Sequence, residues 1–277
     1  PPLEISPSIS RGDLPAAYNY MAYDQGRIPS AVLFSAVPFG LEPQEYISWW
    51  FEGGGSQLAE EVYHAEKIHP LLCSTIGPET AGWFRTPIKT LEDMKGLKIR
   101  FSGLGGQVLN KLGASTQLIP GGELYVALER GRIDATEFSL PVVDKSLGFA
   151  EIAKYYYFPG WHQPASWNSL IVNMDVWNGF GEEVQEQVLL ACKATVTWSL
   201  AAAPEPQGAI IEEFRAMGVE TKRFPDEVLA ALREASVEVL ADAAAADPIV
   251  AEAYASIQAY MAKAQIWDDL QQIPAAN

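Results

Sequence analysis

The stretch from residue 90 to residue 140 constrains the fold more than any other part of this 277-residue chain. Thr90-Leu91-Glu92-Asp93 is a capping-box variant, and Gly96 sits where a glycine closes a short helix. The spacing then predicts a strand over 97–101, a helix over 105–112 closed by Gly113, and a strand over 116–119. A helix over 122–130 closed by Gly131 and a third strand over 133–138 follow. Strand, helix, strand, helix, strand with short connections is the pattern of a parallel sheet with right-handed crossovers.

The flanks carry weaker patterns. The apolar run 31–34 reads as a buried strand, broken by Pro38 and Gly40. Helices are predicted over 43–51 and 57–65, separated by Gly53-Gly54-Gly55, and a further strand over 71–75. Beyond Trp177 the chain turns helical, over 182–203, 206–217, 225–246 and 248–270, with Pro225 and Pro248 near first-turn positions. The length suits two domains of ordinary size. No internal repeat and no long linker is present, so two lobes would be joined by short crossings.

Charge excludes some function classes. Against 35 acidic residues stand 19 basic ones, a formal net charge of -16. A nucleic-acid binder needs a basic patch, and docking on an anionic membrane face needs cations. No run of about 18 uncharged apolar residues occurs, so no spanning segment is expected. The start, Pro1-Pro2-Leu3-Glu4, has neither a basic n-region nor an h-region, which fits a cytoplasmic chain or a processed secreted form. Cys73 and Cys192 cannot build a disulfide framework. Two free buried thiols are expected, with one long-range bridge as the alternative.

Ligands of open parallel sheets bind beyond the carboxyl ends of the strands. Arg100 and Glu137 fall there. Arg100 precedes Ser102-Gly103-Leu104-Gly105-Gly106, where free N–H groups at a helix start favour an anion. An arginine fork beside that turn suits a carboxylate. The same glycines do not make a dinucleotide fingerprint, because Val108 occupies the sixth position. A P-loop, an H-E-x-x-H motif and a G-x-S-x-G elbow are absent. His64 and His69 are badly spaced for one metal, and Cys73 with His162 has no local support as a nucleophile pair. The aromatic run from Tyr155 to Pro164 reads as a core strand entering a Pro-Gly turn, or as a pocket wall with Gln163 as its polar contact.

These residues together resemble the DctP-like extracytoplasmic solute-binding proteins of TRAP transporters, in the branch that binds 2-oxo acids and lactate-type monocarboxylates. The likeness rests on Gly82-Trp83-Phe84-Arg85, Met94 to Arg100, Pro120 to Tyr125, Ala127 to Gly131, Ile133 to Glu137, Leu147-Gly148-Phe149 and Tyr157 to Pro164. It spans roughly residues 75–180, with weaker likeness to the C-terminus.

The resemblance implies an α/β, periplasmic-binding-protein-like fold: two α/β lobes around a ligand cleft and a helical C-terminal region. It places 1–88 with 174–277 in the first lobe and 89–173 in the second. Relatives usually have a strand, a long helix and a second strand before the equivalent of Arg11-Gly12-Asp13. Here about ten residues precede it, so either the first lobe is trimmed or this sequence omits residues that precede it. By resemblance Arg100 pairs with the ligand carboxylate, and Glu79, Glu137 and Gln163 hold a Na⁺ or Ca²⁺ ion that bridges ligand and protein. Oxygen-only donors fit such hard cations. Phe138 stands where relatives often have Trp, and Tyr125, Trp161 and His162 are expected as wall or supporting residues. The implied protein is a periplasmic receptor, not an enzyme, that hands a small carboxylate to membrane permease subunits. A metal-assisted lyase or hydrolase, and a metal-free receptor for a cyclic or aromatic carboxylate, are the alternatives.

Overall fold

The computed structural model describes residues 1–271. Its strands are β1 (Ala16–Asn19), β2 (Ile68–Thr75), β3 (Gly82–Phe84), β4 (Lys98–Arg100), β5 (Ser115–Gln117), β6 (Ala135–Thr136), β7 (Tyr155–Phe158), β8 (Trp167–Asn173) and β9 (Glu220–Arg223). Its α-helices are α1 (Ile5–Arg11), α2 (Pro43–Glu52), α3 (Gly55–His64), α4 (Gly103–Lys111), α5 (Gly121–Glu129), α6 (Pro141–Ser146), α7 (Met174–Gly179), α8 (Glu182–Ala202), α9 (Gln207–Ala216), α10 (Asp226–Ala246) and α11 (Pro248–Gln271). No helix among the described residues is long and apolar enough to cross a membrane.

Two sheets form. The smaller is antiparallel, in the order β1-β8-β2; the larger runs β5-β4-β6-β3-β7-β9. The predicted β4-α4-β5-α5-β6 unit is there, with β4 parallel to both β5 and β6. Because β5 lies on one side of β4 and β6 on the other, the strand order reverses at β4. That reversal opens a crevice at the carboxyl end of β4. β3 then pairs antiparallel with both β6 and β7, and β9 joins β7 in parallel.

Several expectations change. The run 31–34 is no strand: Pro29–Phe34 is a buried 3-10 helix with Pro29 in its first turn. An apolar run this short has no periodicity to tell helix from strand, and the proline supplies the helical φ. The helical C-terminal region is interrupted by β9, whose half-exposed residues lack an apolar strand pattern. Sheet membership does not follow the 89–173 boundary. β3 and β9 sit in the larger sheet, and β8 in the smaller.

The cysteines are not free. Cys73 on β2 and Cys192 on α8 form a disulfide, 119 residues apart in sequence. Both are buried with Leu71, Val172 and Trp177, where α8 packs against β2. That packing is a tertiary event, which spacing alone does not reveal.

Candidate functional site

Parallel register sets Arg100 opposite Thr136, so the last side chain of β4 meets Glu137 just after β6. Both are buried, 1% and 0% exposed. The Arg100 guanidinium donates from Nη1 to the Glu137 carboxylate (2.8 Å) and to the Glu137 carbonyl (2.9 Å), and from Nε to the Ile119 carbonyl (3.2 Å). The other Glu137 oxygen accepts from the Ser102 amide (2.7 Å) and hydroxyl (2.9 Å). The protein's own Glu137 therefore takes the first N–H of the glycine-rich turn that sequence reasoning left for a ligand. Below the fork, the Phe138 ring centre lies 5.2 Å from the guanidinium carbon.

A second element closes on this pair. The turn after β7 lies against the Glu79 backbone, where a Cβ on Gly160 would overlap the Glu79 carbonyl. That close approach needs glycine, and the Glu79 amide donates to the Gln163 carbonyl (3.1 Å). Glu79, 6% exposed, thereby faces His162 and Gln163. Its carboxylate accepts long contacts from the hydroxyls of Ser139 (3.4 Å) and Ser166 (3.3 Å). Burial, then the neighbouring Glu137 and Asp144 charges, push its pKa well above the usual carboxylate value.

The Gln163 amide has two orientations on these atoms. In one, its nitrogen donates to the Tyr20 hydroxyl (2.6 Å) and its oxygen faces Glu79. In the other, the nitrogen donates to both Glu79 oxygens (2.5 and 3.1 Å) and the oxygen accepts from Tyr20 (2.6 Å). The first brings carboxylate and amide oxygens face to face, an arrangement that a cation, or a proton on Glu79, satisfies. The second satisfies the same atoms without one.

His162 is buried, and neither ring nitrogen has a hydrogen-bond partner. Burial lowers its pKa to about 4, so the ring is neutral at ordinary pH. One donor atom each from Glu79, Glu137 and His162 lie within 4.8 Å of one another. Such a set of carboxylate and imidazole donors fits a cation, and Gln163 can add a carbonyl oxygen.

The structure brings Arg100, Glu137, Glu79, Gln163 and Phe138 together. Trp161 stacks on Phe101 at 5.8 Å and packs on Phe39, a wall beside the cluster. Tyr125 is corrected: its hydroxyl donates to Glu151 (3.0 Å) in an exposed contact and is not among the residues gathered around Arg100 and Glu79. The apolar positions 124, 127 and 128 of α5 face the core, which turns 125 outward. Sequence reasoning missed Tyr20 and Tyr23. Burial raises both hydroxyls' pKa, with the Glu79 charge next for Tyr20 and the Arg100 charge opposing for Tyr23. They lie in the weakly patterned first thirty residues, where no motif singles them out, and their rings meet edge to face at 5.2 Å. A cavity of about 690 Å³ shares Glu79 and Trp161 with the site, but Arg100 and Glu137 do not line it.

Residues 8–247 match the family model of the bacterial extracellular solute-binding proteins, family 7, known as DctP. The chain belongs to the DctP family of TRAP solute-binding proteins. A monocarboxylate 2-oxoacid-binding periplasmic protein of Nostoc sp. is 30% identical over all of this chain and 76% of its own length. A TRAP solute-binding protein of Pseudoalteromonas atlantica, solved with bound sodium and pyruvate, is 34% identical with a TM-score of 0.93. The match covers 97% of this chain and 82% of that one. A Bordetella bronchiseptica TRAP protein with copurified calcium and picolinate is 29% identical, TM-score 0.95, over 98% of this chain and 81% of that one. Members of this DctP family are receptors and not enzymes, which sets the lyase or hydrolase reading aside.

Proposed function

We propose that this DctP protein binds a small 2-oxo or 2-hydroxy monocarboxylate in the periplasm, bridged by Na⁺ or Ca²⁺, and presents it to membrane permease subunits. The observation that carries the reading is the buried cluster at the carboxyl end of β4. Arg100 there meets Glu137, and Glu79, Glu137 and His162 bring one donor atom each within 4.8 Å of one another. The ligands of the Pseudoalteromonas and Bordetella proteins, pyruvate with sodium and picolinate with calcium, supply the chemistry that such a cluster fits.

Arg100 holds the ligand carboxylate, because its Nη2 edge is not used in the bonds to Glu137 and Ile119. Phe138 and Trp161 exclude water from that contact. Glu79, Glu137 and Gln163 hold the cation, whose positive charge lets two carboxylates share a closed cleft with an anion. With the Gln163 oxygen on the cation, the amide nitrogen donates to the Tyr20 hydroxyl. Closure of the lobes stabilises the bound form through contacts made in that form only, and the permease subunits read it. The Cys73–Cys192 bond fits an oxidising compartment.

Calorimetry with pyruvate tests the reading. Binding is expected with Ca²⁺ or Na⁺ present, and at least a tenfold loss, about 1.4 kcal/mol, after rigorous cation removal. Unchanged affinity without cation favours a metal-free carboxylate site. No binding of any small carboxylate overturns the proposal.

A further inference from the structure

His162 stands out within the cluster because the protein leaves its hydrogen-bonding capacity unused. Both ring nitrogens are buried without a partner, whereas buried polar groups in folded proteins are almost always paired. The ring cannot turn toward water. Phe101 and Trp161 contact it edge to face at 4.6 and 5.5 Å between ring centres. Helix α4 presses on it as well, since a Cβ at Gly105 would collide with the His162 Cβ. Nε2 lies 3.9 Å from a Glu79 oxygen, too far for a hydrogen bond and close enough for both to touch one atom between them. Ligand atoms at roughly 2.0–2.2 Å from a metal lie at most about 4.4 Å apart. The spread of the Glu79, Glu137 and His162 donor atoms, within 4.8 Å, is close to that limit.

Charge points the same way. With Glu79 ionised, Glu79, Glu137 and a ligand carboxylate against the one Arg100 guanidinium leave a surplus of two negative charges in a buried site. A divalent ion cancels that surplus and a sodium ion does not. Imidazole suits borderline transition ions, whereas Na⁺ and Ca²⁺ select oxygen.

We propose that His162 is a direct nitrogen ligand of the bridging cation, so that the site takes borderline divalent ions such as Mn²⁺ and Zn²⁺ as well as hard ones. The inference rests on the cation-bridged carboxylate site above and extends it to a mixed nitrogen and oxygen donor set. A neutral imidazole that instead hydrogen-bonds the ligand is the competing outcome.

Pulsed EPR of the wild-type protein loaded with one equivalent of Mn²⁺ and with pyruvate reads the coordination directly. A ¹⁴N coupling of imidazole is expected; it should persist in His64→Gln and vanish in His162→Gln. The Zn²⁺ affinity of His162→Gln should fall at least about tenfold relative to its Ca²⁺ affinity, the low end of what losing even an outer partner costs. Bound Mn²⁺ without nitrogen coupling overturns the inference, and so does Ca²⁺-dependent pyruvate binding in a protein that refuses Mn²⁺. In both of those cases the carboxylate receptor stands. Absence of pyruvate binding with any cation overturns the receptor and the inference together.

Discussion

The two sheets keep their polar groups in opposite ways. Around the three-stranded sheet, β2 is tied to α8 by the Cys73–Cys192 disulfide, and the histidines beside it are shielded by stacking, His69 lying 4.1 Å from Trp177. In the six-stranded sheet the buried polar groups include an ion pair and a hydrogen-bonded carboxyl. Arg100 pairs with Glu137, and Asp144 accepts from Trp83 (2.9 Å), Tyr156 (2.8 Å) and the Ser139 amide (3.2 Å). Buried charge is weak evidence for stability, because desolvation offsets the Coulomb attraction. The first sheet is thus clamped covalently, and the second carries a buried ion pair at the proposed ligand site.

Removing the covalent clamp gives the largest expected effect. For a loop near this length the chain-entropy ceiling is about 4.7 kcal/mol, or slightly more. The Cys73→Ser/Cys192→Ser protein should lose up to that amount in urea unfolding. Pyruvate affinity of its folded fraction should stay within about twofold, since a change of 0.4 kcal/mol or less is expected at a distant site. A large affinity loss would break the division between a clamped sheet and a binding sheet.

The second test strikes the binding sheet. Arg100→Met removes the partner of a buried carboxylate, which costs about 3–5 kcal/mol. The low end is expected, because both Ser102 bonds to Glu137 remain. Adding Glu137→Gln should restore much of the stability and none of the carboxylate binding. If Arg100→Met alone folds as well as wild type, the pair is not under the strain this contrast assigns to it.

The same contrast explains what the sequence could show. Local rules made the β4-α4-β5-α5-β6 unit legible, since Gly96, Gly113 and Gly131 mark where its helices and turns end. Arg100 and Glu137 followed from position at strand ends. Glu79 and Gln163 came by resemblance, because what joins them is the fit of the Gly160 turn against the Glu79 carbonyl, a contact between distant segments. Tyr20 and Tyr23 lie in short elements between prolines and glycines, where no period builds up. The disulfide depended on α8 packing against β2, and Tyr125 was lost because a motif says nothing about which helix face meets the ligand.

Two pH effects sharpen the comparison, and their signs are opposite. Burial pushes the Asp144 carboxyl from 3.8 up to about 7. The folded state then holds a proton that the unfolded chain has released, so this contribution is full below about pH 4 and is lost as pH rises to about 7. The slope is at most about 1.4 kcal/mol per pH unit for one proton. Asp144→Asn should flatten stability between those limits, measured by urea unfolding at a series of pH values. A slope that survives the substitution assigns it to another group.

His69 gives the smallest effect, from the other sheet. Burial, helped by the adjacent His64, lowers its pKa from 6.5 to about 4. Its Nδ1 lies 2.9 Å from His64 Nε2, so a second proton on this ring meets a neighbour that competes for the same hydrogen bond. The unfolded chain takes up that proton below pH 6.5 and the folded chain does not. This contribution is therefore full above pH 6.5 and is lost as pH falls toward 4. His69→Phe keeps the stack on Trp177 and removes the titration, so its melting temperature should fall less than that of wild type on going from pH 6.5 to 4.5. Across that window the Asp144 and His69 slopes oppose each other in the wild-type protein, and the two single variants separate them. If His69→Phe shows the wild-type acid response, proton uptake lies elsewhere and the stacked histidine is only packing.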